Sequence, residues 1–322
     1  MEVRKIQLIG SSSYMVSLPK KWITSLDLKQ GDEVIVHVEE NRVVVIPKKL
    51  DKEKIVRIVM KGIPKLDEDF LRRYVYAIYM LGFDEVVIED VEIPPSLITK
   101  FIEIIHKLVG MEILDVSSTR LVFRILVTPE LDIEKVLTRM TQMVNSMFED
   151  AKSLIEGDDK GDKLKNLLMV EENIDRFYWL AVRLENRLTR ESASWSEIRF
   201  VLGSRMVAKM IEDVADHIVQ FVNYINSAKA KDGVVSKIIG EICQMFNLAF
   251  NSFINRDVEE SDEVVKEVEK MQSKIMNAIK NTDDVGYALS LQTLIEILWE
   301  IRSIGEIAIN RAVREKAEET KT

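Results

Sequence analysis

Glu171 and Asp175, and again Glu212 and Asp216, stand four residues apart in stretches whose apolar residues recur every three and four positions. On a helix that spacing puts both carboxylates of a pair on one face, a turn apart. Like charges so placed repel unless a proton or a cation neutralises them. Two such helices side by side would gather four carboxylates, an oxygen-rich ligand set. It suits magnesium, manganese or iron better than a thiolate-seeking metal.

Spacing alone does not single these pairs out, because Glu259/Glu263, Glu263/Glu267, Glu296/Glu300 and Glu315/Glu319 share it, and most of those are expected to be solvated. Context separates them. Glu171 lies on the line of Leu164, Leu167, Ile174, Tyr178 and Ala181, and Glu212 on that of Ala208, Ala215 and Val219. An acid on a buried apolar stripe must be ion-paired, protonated or metal-bound, whereas one at its rim is simply hydrated. His217 follows Asp216 and is either a fifth ligand or a side chain facing water. His37 and His106 lack acidic or cysteine companions at ligand spacing, Cys243 has no recognisable partner, and no serine stands in a nucleophile elbow. Covalent catalysis therefore has no candidate residue, and no further catalytic group accompanies the paired acids. A non-enzymatic protein is expected.

The elements that must position the acids are helices. Beyond Pro129 the periodicity predicts helices over 132–156, 164–190, 195–227, 234–255, 261–281 and 285–316, separated by polar breaks. They form two three-helix units, 131–228 and 232–316, within an all-helical segment spanning 131–322. The third helices align as Ile211–Ile218 against Ile301–Ala308, an offset of 90 residues. Residues 51–130 alternate strand and helix in a βαβαββ order, which predicts a small α+β connecting domain. Neither a GxGxxG nor a GxxxxGK[ST] loop is present, so nucleotide phosphates have no Gly-rich cradle. Residues 1–50 predict short strands at Val3–Leu8, Tyr14–Leu18, Val34–Val38 and Val43–Ile46, with a two-turn helix from Lys20 and a hairpin link at Glu40–Asn41. Fifty residues with so few apolar side chains make a marginal core and call for a partner chain.

The whole is 322 residues with a formal charge of −9 and 47% hydrophobic residues, enough apolar material for real cores. The charge is uneven. The first fifty residues hold eight basic side chains against six acidic ones, so the acidic excess lies entirely in the body. A basic head on an acidic body points to different partners for the two ends. One cysteine excludes a disulfide framework and fits a reducing cytosol. The amino-terminal residues carry no apolar leader, and no apolar run is long enough to span a membrane, so a cytoplasmic chain without membrane insertion is expected.

The stretch Arg4-Lys-Ile-Gln-Leu-Ile-Gly-Ser-Ser-Ser-Tyr-Met-Val-Ser-Leu-Pro-Lys-Lys-Trp22, with Leu28-Lys-Gln-Gly-Asp-Glu-Val-Ile-Val36 after it, resembles the AbrB/MazE/SpoVT swapped-hairpin family over about residues 3–48. The resemblance implies an intertwined homodimer, which would supply the missing core, and DNA contact through basic strands and loops. Arg4 and Lys5 match the basic first strand. Ser11, Ser12 and Ser13 stand where some members have an arginine, and Lys20 and Lys21 lie one turn before the place of a basic pair. Serines, amides and lysines hold phosphates but lose arginine's bidentate reading of bases, so shape-guided binding is expected. A head that only dimerises remains the alternative.

The helical part resembles the PhoU family of phosphate-signalling proteins, which carry E/D-x-x-x-D motifs for multinuclear metal clusters. Ile211-Glu-Asp-Val-Ala-Asp-His217 matches its third-helix line and Val170-Glu-Glu-Asn-Ile-Asp175 its second-helix line. The resemblance implies metal (iron, manganese, magnesium or zinc) at Glu171, Asp175, Glu212 and Asp216. In the second unit Arg302 and Glu306 replace the third-helix acids, while Glu269 and Ser273 replace the second-helix pair, so one site per chain is expected. Head and body together resemble archaeal phosphate uptake regulators. That implies a homodimer or higher oligomer, with operator DNA and a phosphate transporter ATPase subunit or another phosphate-signalling protein as partners. The alternative is an adaptor that regulates the transporter without touching DNA.

Overall fold

The computed structural model describes residues 2–10, 12–39, 42–48, 55–89, 92, 94–127, 131–157, 160–190, 195–228 and 233–319. The chain divides into two compact units, Met1–Val56 and Arg57–Thr322.

In the first unit β1 (Gln7–Ile9) pairs antiparallel with β2 (Ser13–Met15), α1 (Lys20–Ser25) starts behind Pro19, and β3 (Val34–Glu39) pairs antiparallel with β4 (Arg42–Pro47). β1 begins four residues later than its alternation predicts, because only Gln7, Leu8 and Ile9 find partners, opposite Met15, Tyr14 and Ser13. The predicted link at Glu40–Asn41 lies outside the described residues. Gly31 takes a positive φ of 97° in the turn that the Asp32 carboxylate closes by accepting the Lys29 amide at 2.9 Å. Among the described residues of this unit only Leu28 and Pro47 are buried. Ile6, Leu8, Tyr14, Val16, Val36 and Val38 are exposed, so these hairpins lack a core of their own.

The second unit opens with a four-stranded sheet in the order β5-β6-β8-β7. β5 (Arg57–Lys61) runs parallel to β6 (Glu85–Glu89), and β8 (Arg120–Ile125) is antiparallel to both β6 and β7 (Met111–Val116). α2 (Glu68–Met80), capped by the Asp67 carboxylate, and α3 (Pro95–His106), opened by two prolines, supply the helices of this βαβαββ order. Val86, Ile88, Leu121 and Phe123 join their core.

Six longer helices follow: α4 (Ile133–Glu156), α5 (Lys160–Arg190), α6 (Trp195–Ser227), α7 (Gly233–Asn255), α8 (Val258–Lys280) and α9 (Val285–Glu319). Side-chain caps at Asp132 and Asp257 accept the amides of Lys135 and Glu260, and Gly157 ends α4 with φ of 100°. The two three-helix bundles meet along their third helices, α6 and α9, and along their first, α4 and α7, where Asn145 and Asn247 exchange amide hydrogen bonds of 2.8 and 2.9 Å. Phe148 and Phe246 pack nearby at 6.0 Å. Among the described residues no helix is long and apolar enough to cross a membrane.

The sheet layer is fastened to α5 by hydrogen bonds. The carbonyls at the end of α2 and just beyond it have lone pairs that no further helix turn can fill, and α5 supplies donors to them. Arg183 donates to the Tyr79 carbonyl at 3.2 Å, Asn186 to Met80 at 2.7 Å and Arg190 to Leu81 at 3.2 Å and to Gly82. Arg183 is buried, stacks 5.3 Å from the Tyr79 ring, and burial lowers its pKa to about 10. Gly82 is obligatory at this crossing. Its φ is 79°, and a Cβ there would lie 2.9 Å from both the Arg183 carbonyl oxygen and the Arg187 nitrogen.

Candidate metal centre

α5 and α6 bury Leu167, Ile174 and Ala181 on one side and Val207, Ala208, Ile211, Val214, Ala215 and Ile218 on the other. The four predicted acids sit on the flank of this seam, each partly buried. Glu171, Asp175 and Asp216 can each turn one ligand atom so that the three lie within 4.8 Å of one another. Glu212, Asp213 and Asp216 can do the same, and Asp216 is common to both sets. Across the seam Glu171 faces Asp216 and Asp175 faces Glu212, each pair close enough to share a proton. All four predicted ligands therefore converge, joined by Asp213.

The electrostatics follow from this crowding. Burial pushes Glu212 up to about 7, with the Asp216 and Asp175 charges acting in the same direction and Lys209 against them. Burial, then Glu171 and Asp216, push Asp175 up to about 6. Glu171 and Asp216 also rise, again chiefly through burial. Among the described residues no lysine or arginine forms an ion pair with Glu171, Asp175 or Asp216, so burial and mutual repulsion favour their protonated forms. A half-buried set of oxygen donors that holds protons against its own repulsion fits a hard cation, which would replace those protons. On this donor chemistry the residues suit the metals the resemblance implies.

Lys209, one turn before Glu212, donates to Glu212 and, at 2.7 Å, to Asp213, and its ammonium stands 5.8 Å from the Tyr178 ring. Spacing could not have marked it, since a lysine three and four residues before acids reads as an ordinary surface pair. Glu300 of α9 belongs to one of the background pairs, yet it is half-buried and its pKa is raised by burial and by Asp213. The His217 Nε2 lies 3.7 Å from Glu296, and its Nδ1 is buried without a hydrogen-bond partner. Among the described residues His217 joins none of the carboxylate sets above.

The corresponding place in the second bundle is filled differently. Arg302 lies 3.4 Å from Glu269 across the α8–α9 seam and donates to Glu306 at 3.0 Å. A guanidinium fixed in that position takes the charge a cation would supply.

Elsewhere Glu185 of α5 is a titratable group the sequence reading missed. It is 1% exposed, one oxygen is 3.4 Å from Arg205 and the other has no partner, and burial raises its pKa to about 8.

Of the predicted DNA-contacting residues, Arg4, Lys5, Ser12, Ser13, Lys20 and Lys21 are all exposed. Arg4 pairs with Glu2. Ser12 stands in the β1–β2 turn, Ser13 opens β2, and Lys20 and Lys21 open α1, while Ser11 lies outside the described residues.

Comparison with known proteins agrees with these parts one by one. Residues 7–53 match the family described as antidote-toxin recognition MazE, bacterial antitoxin. Residues 137–225, the first bundle with its carboxylate seam, match the PhoU domain. Among curated proteins none matches. Among solved structures, the crystal structure of PhoU from Pseudomonas aeruginosa matches with a TM-score of 0.50 at 17% identity, over 57% of this chain and 96% of that one. At such identity the likeness speaks for the fold alone. The chain thus joins a MazE-type head to a helical body that carries a PhoU domain.

Proposed function

We propose that the protein is a non-enzymatic, homodimeric regulator of phosphate uptake, whose head contacts DNA and whose first helical bundle holds metal. The carboxylate seam of α5 and α6 inside the PhoU-matching segment carries this reading. Glu171, Asp175, Glu212 and Asp216 would hold the cation, with Asp213 adjoining. Iron, manganese, magnesium and zinc all accept such oxygen donors. When bound, the cation would neutralise the seam and tie α5 to α6.

The uncovered apolar residues of the head support a two-chain core, and its exposed Arg4, Lys5, Lys20 and Lys21 supply cations for phosphate contact. The body would act on a phosphate transporter ATPase or another phosphate-signalling protein. A second reading, an adaptor that dimerises through its head without touching DNA, is favoured by the few basic residues there and by the Arg4–Glu2 pairing. Recovery of genomic DNA fragments with the intact protein separates the two. Binding should weaken steeply as salt rises, and Arg4→Glu with Lys5→Glu should abolish it. Unchanged binding by that variant would remove the DNA assignment.

A further inference from the structure

The two bundles balance their acidic seams with basic side chains of opposite kinds. In the second, Arg302 takes a ligand position outright and is held between Glu269 and Glu306. In the first, the ligand positions remain acidic, and the balancing cation is Lys209, reaching in from one turn earlier. An arginine fork is planar and pre-organised, whereas a lysine ammonium is a point charge on a flexible stem that can leave.

Lys209 is placed to act as such a removable charge. Its side chain is 46% exposed, so it can swing to water, while Glu212, which it neutralises, is only 14% exposed. Its second partner, Asp213, belongs with Glu212 and Asp216 to one of the two sets able to converge on a cation. The ammonium stands over the Tyr178 ring, 5.8 Å from its centre. A metal ion that draws on Glu212 competes with the Lys209 ammonium for the charge of the same carboxylate.

We propose that Lys209 is a tethered counter-ion that occupies the α5–α6 seam in the metal-free protein and is displaced when a divalent cation binds. This rests on the metal reading above and deepens it: the lysine sets the threshold concentration at which the seam fills. Metal entry would also free an ammonium beside Asp213 and Glu300, at the face where α6 meets α9. The state of the first bundle would thereby be registered at the second. Arg302 has no such freedom, so the second bundle stays in one state.

The test is manganese(II) titration of the full-length protein at pH 8, read by the electron paramagnetic resonance of free manganese. Lys209→Met should bind about tenfold or more tightly than the unaltered protein, because a charge-assisted hydrogen bond no longer competes. Lys209→Arg, which keeps the charge, should bind no more tightly than the unaltered protein. Equal affinities in all three proteins, weaker binding by Lys209→Met, or tightening by both substitutions would overturn the counter-ion and leave the metal site standing. Absence of manganese binding in all three would overturn the counter-ion and strike manganese from the metal reading.

Discussion

Arg302 reaches Glu269 at 3.4 Å across the second bundle, at the level where the first bundle sets carboxylate against carboxylate. The same three-helix plan thus carries two electrostatic solutions. One seam is closed by a fixed guanidinium. The other keeps its carboxylates face to face, with Lys209 paired to Glu212 and Asp213 at its edge. Neutralising Arg302 as Arg302→Met should leave Glu269 and Glu306 solvated and change stability by no more than about 1 kcal/mol, since both acids are over half exposed. Urea unfolding measures it, and a larger loss would mean that the pairing braces the bundle.

Metal binding should release protons. Glu212 and Asp175 are raised to about 7 and about 6, so near neutrality the metal-free seam is partly protonated. A bound cation requires the carboxylates ionised, so apparent affinity should climb between about pH 5 and pH 8. Calorimetry in buffers of different ionisation enthalpy would count the protons, and none released would contradict the raised values.

Glu185 gives a separate pH dependence. Its pKa is about 8 in the fold, far above the ordinary carboxylate value of about 4.3 in the unfolded chain. Below the lower value both states hold the proton, and the contribution to stability is at its greatest. Between the two values the unfolded chain releases it first, so stability falls as pH rises and levels off above about 8. Glu185→Gln should flatten part of that fall and raise stability at pH 8 by about 1–3 kcal/mol. Denaturant midpoints at pH 5 and pH 8 decide it.

The α2–α5 fastening is tested at Gly82. Gly82→Ala forces a Cβ into the Arg183 and Arg187 backbone at 2.9 Å with φ at 79°. Since those atoms are backbone and cannot swing aside, a loss of about 2 kcal/mol or more is expected. A neutral result in urea unfolding would mean that the helices can separate freely.

Much of this architecture was legible in the sequence. The helices of the body fall within a few residues of their periodicity, because each buries one stripe from end to end. The sheet layer keeps the predicted βαβαββ order. β1 is shorter than predicted because alternation marks strand character but not where a partner stops. The four carboxylates could be picked out because they interrupt apolar stripes. Lys209, Asp213 and Glu300 could not, since their role arises only where α6 meets α5 and α9. Glu185 was hidden for a similar reason: burial at a helix crossing is a property of packing, not of spacing.

The head should bring two chains together. Leu8→Asp with Val36→Asp places charges on two of its exposed apolar strands and should convert a dimer to monomers in sedimentation equilibrium. A dimer that survives both substitutions would place the contact elsewhere.

The central claim is that the α5–α6 seam of the first bundle is a metal site. Elemental analysis of the purified full-length protein, beside Asp175→Asn with Asp216→Asn, tests it most directly. Both substitutions keep shape and hydrogen bonding while removing charge. The account predicts iron, manganese, magnesium or zinc at one or more ions per chain in the unaltered protein and loss of that metal in the variant. Equal metal content in a folded variant, or none in the unaltered protein after metal loading, would contradict it.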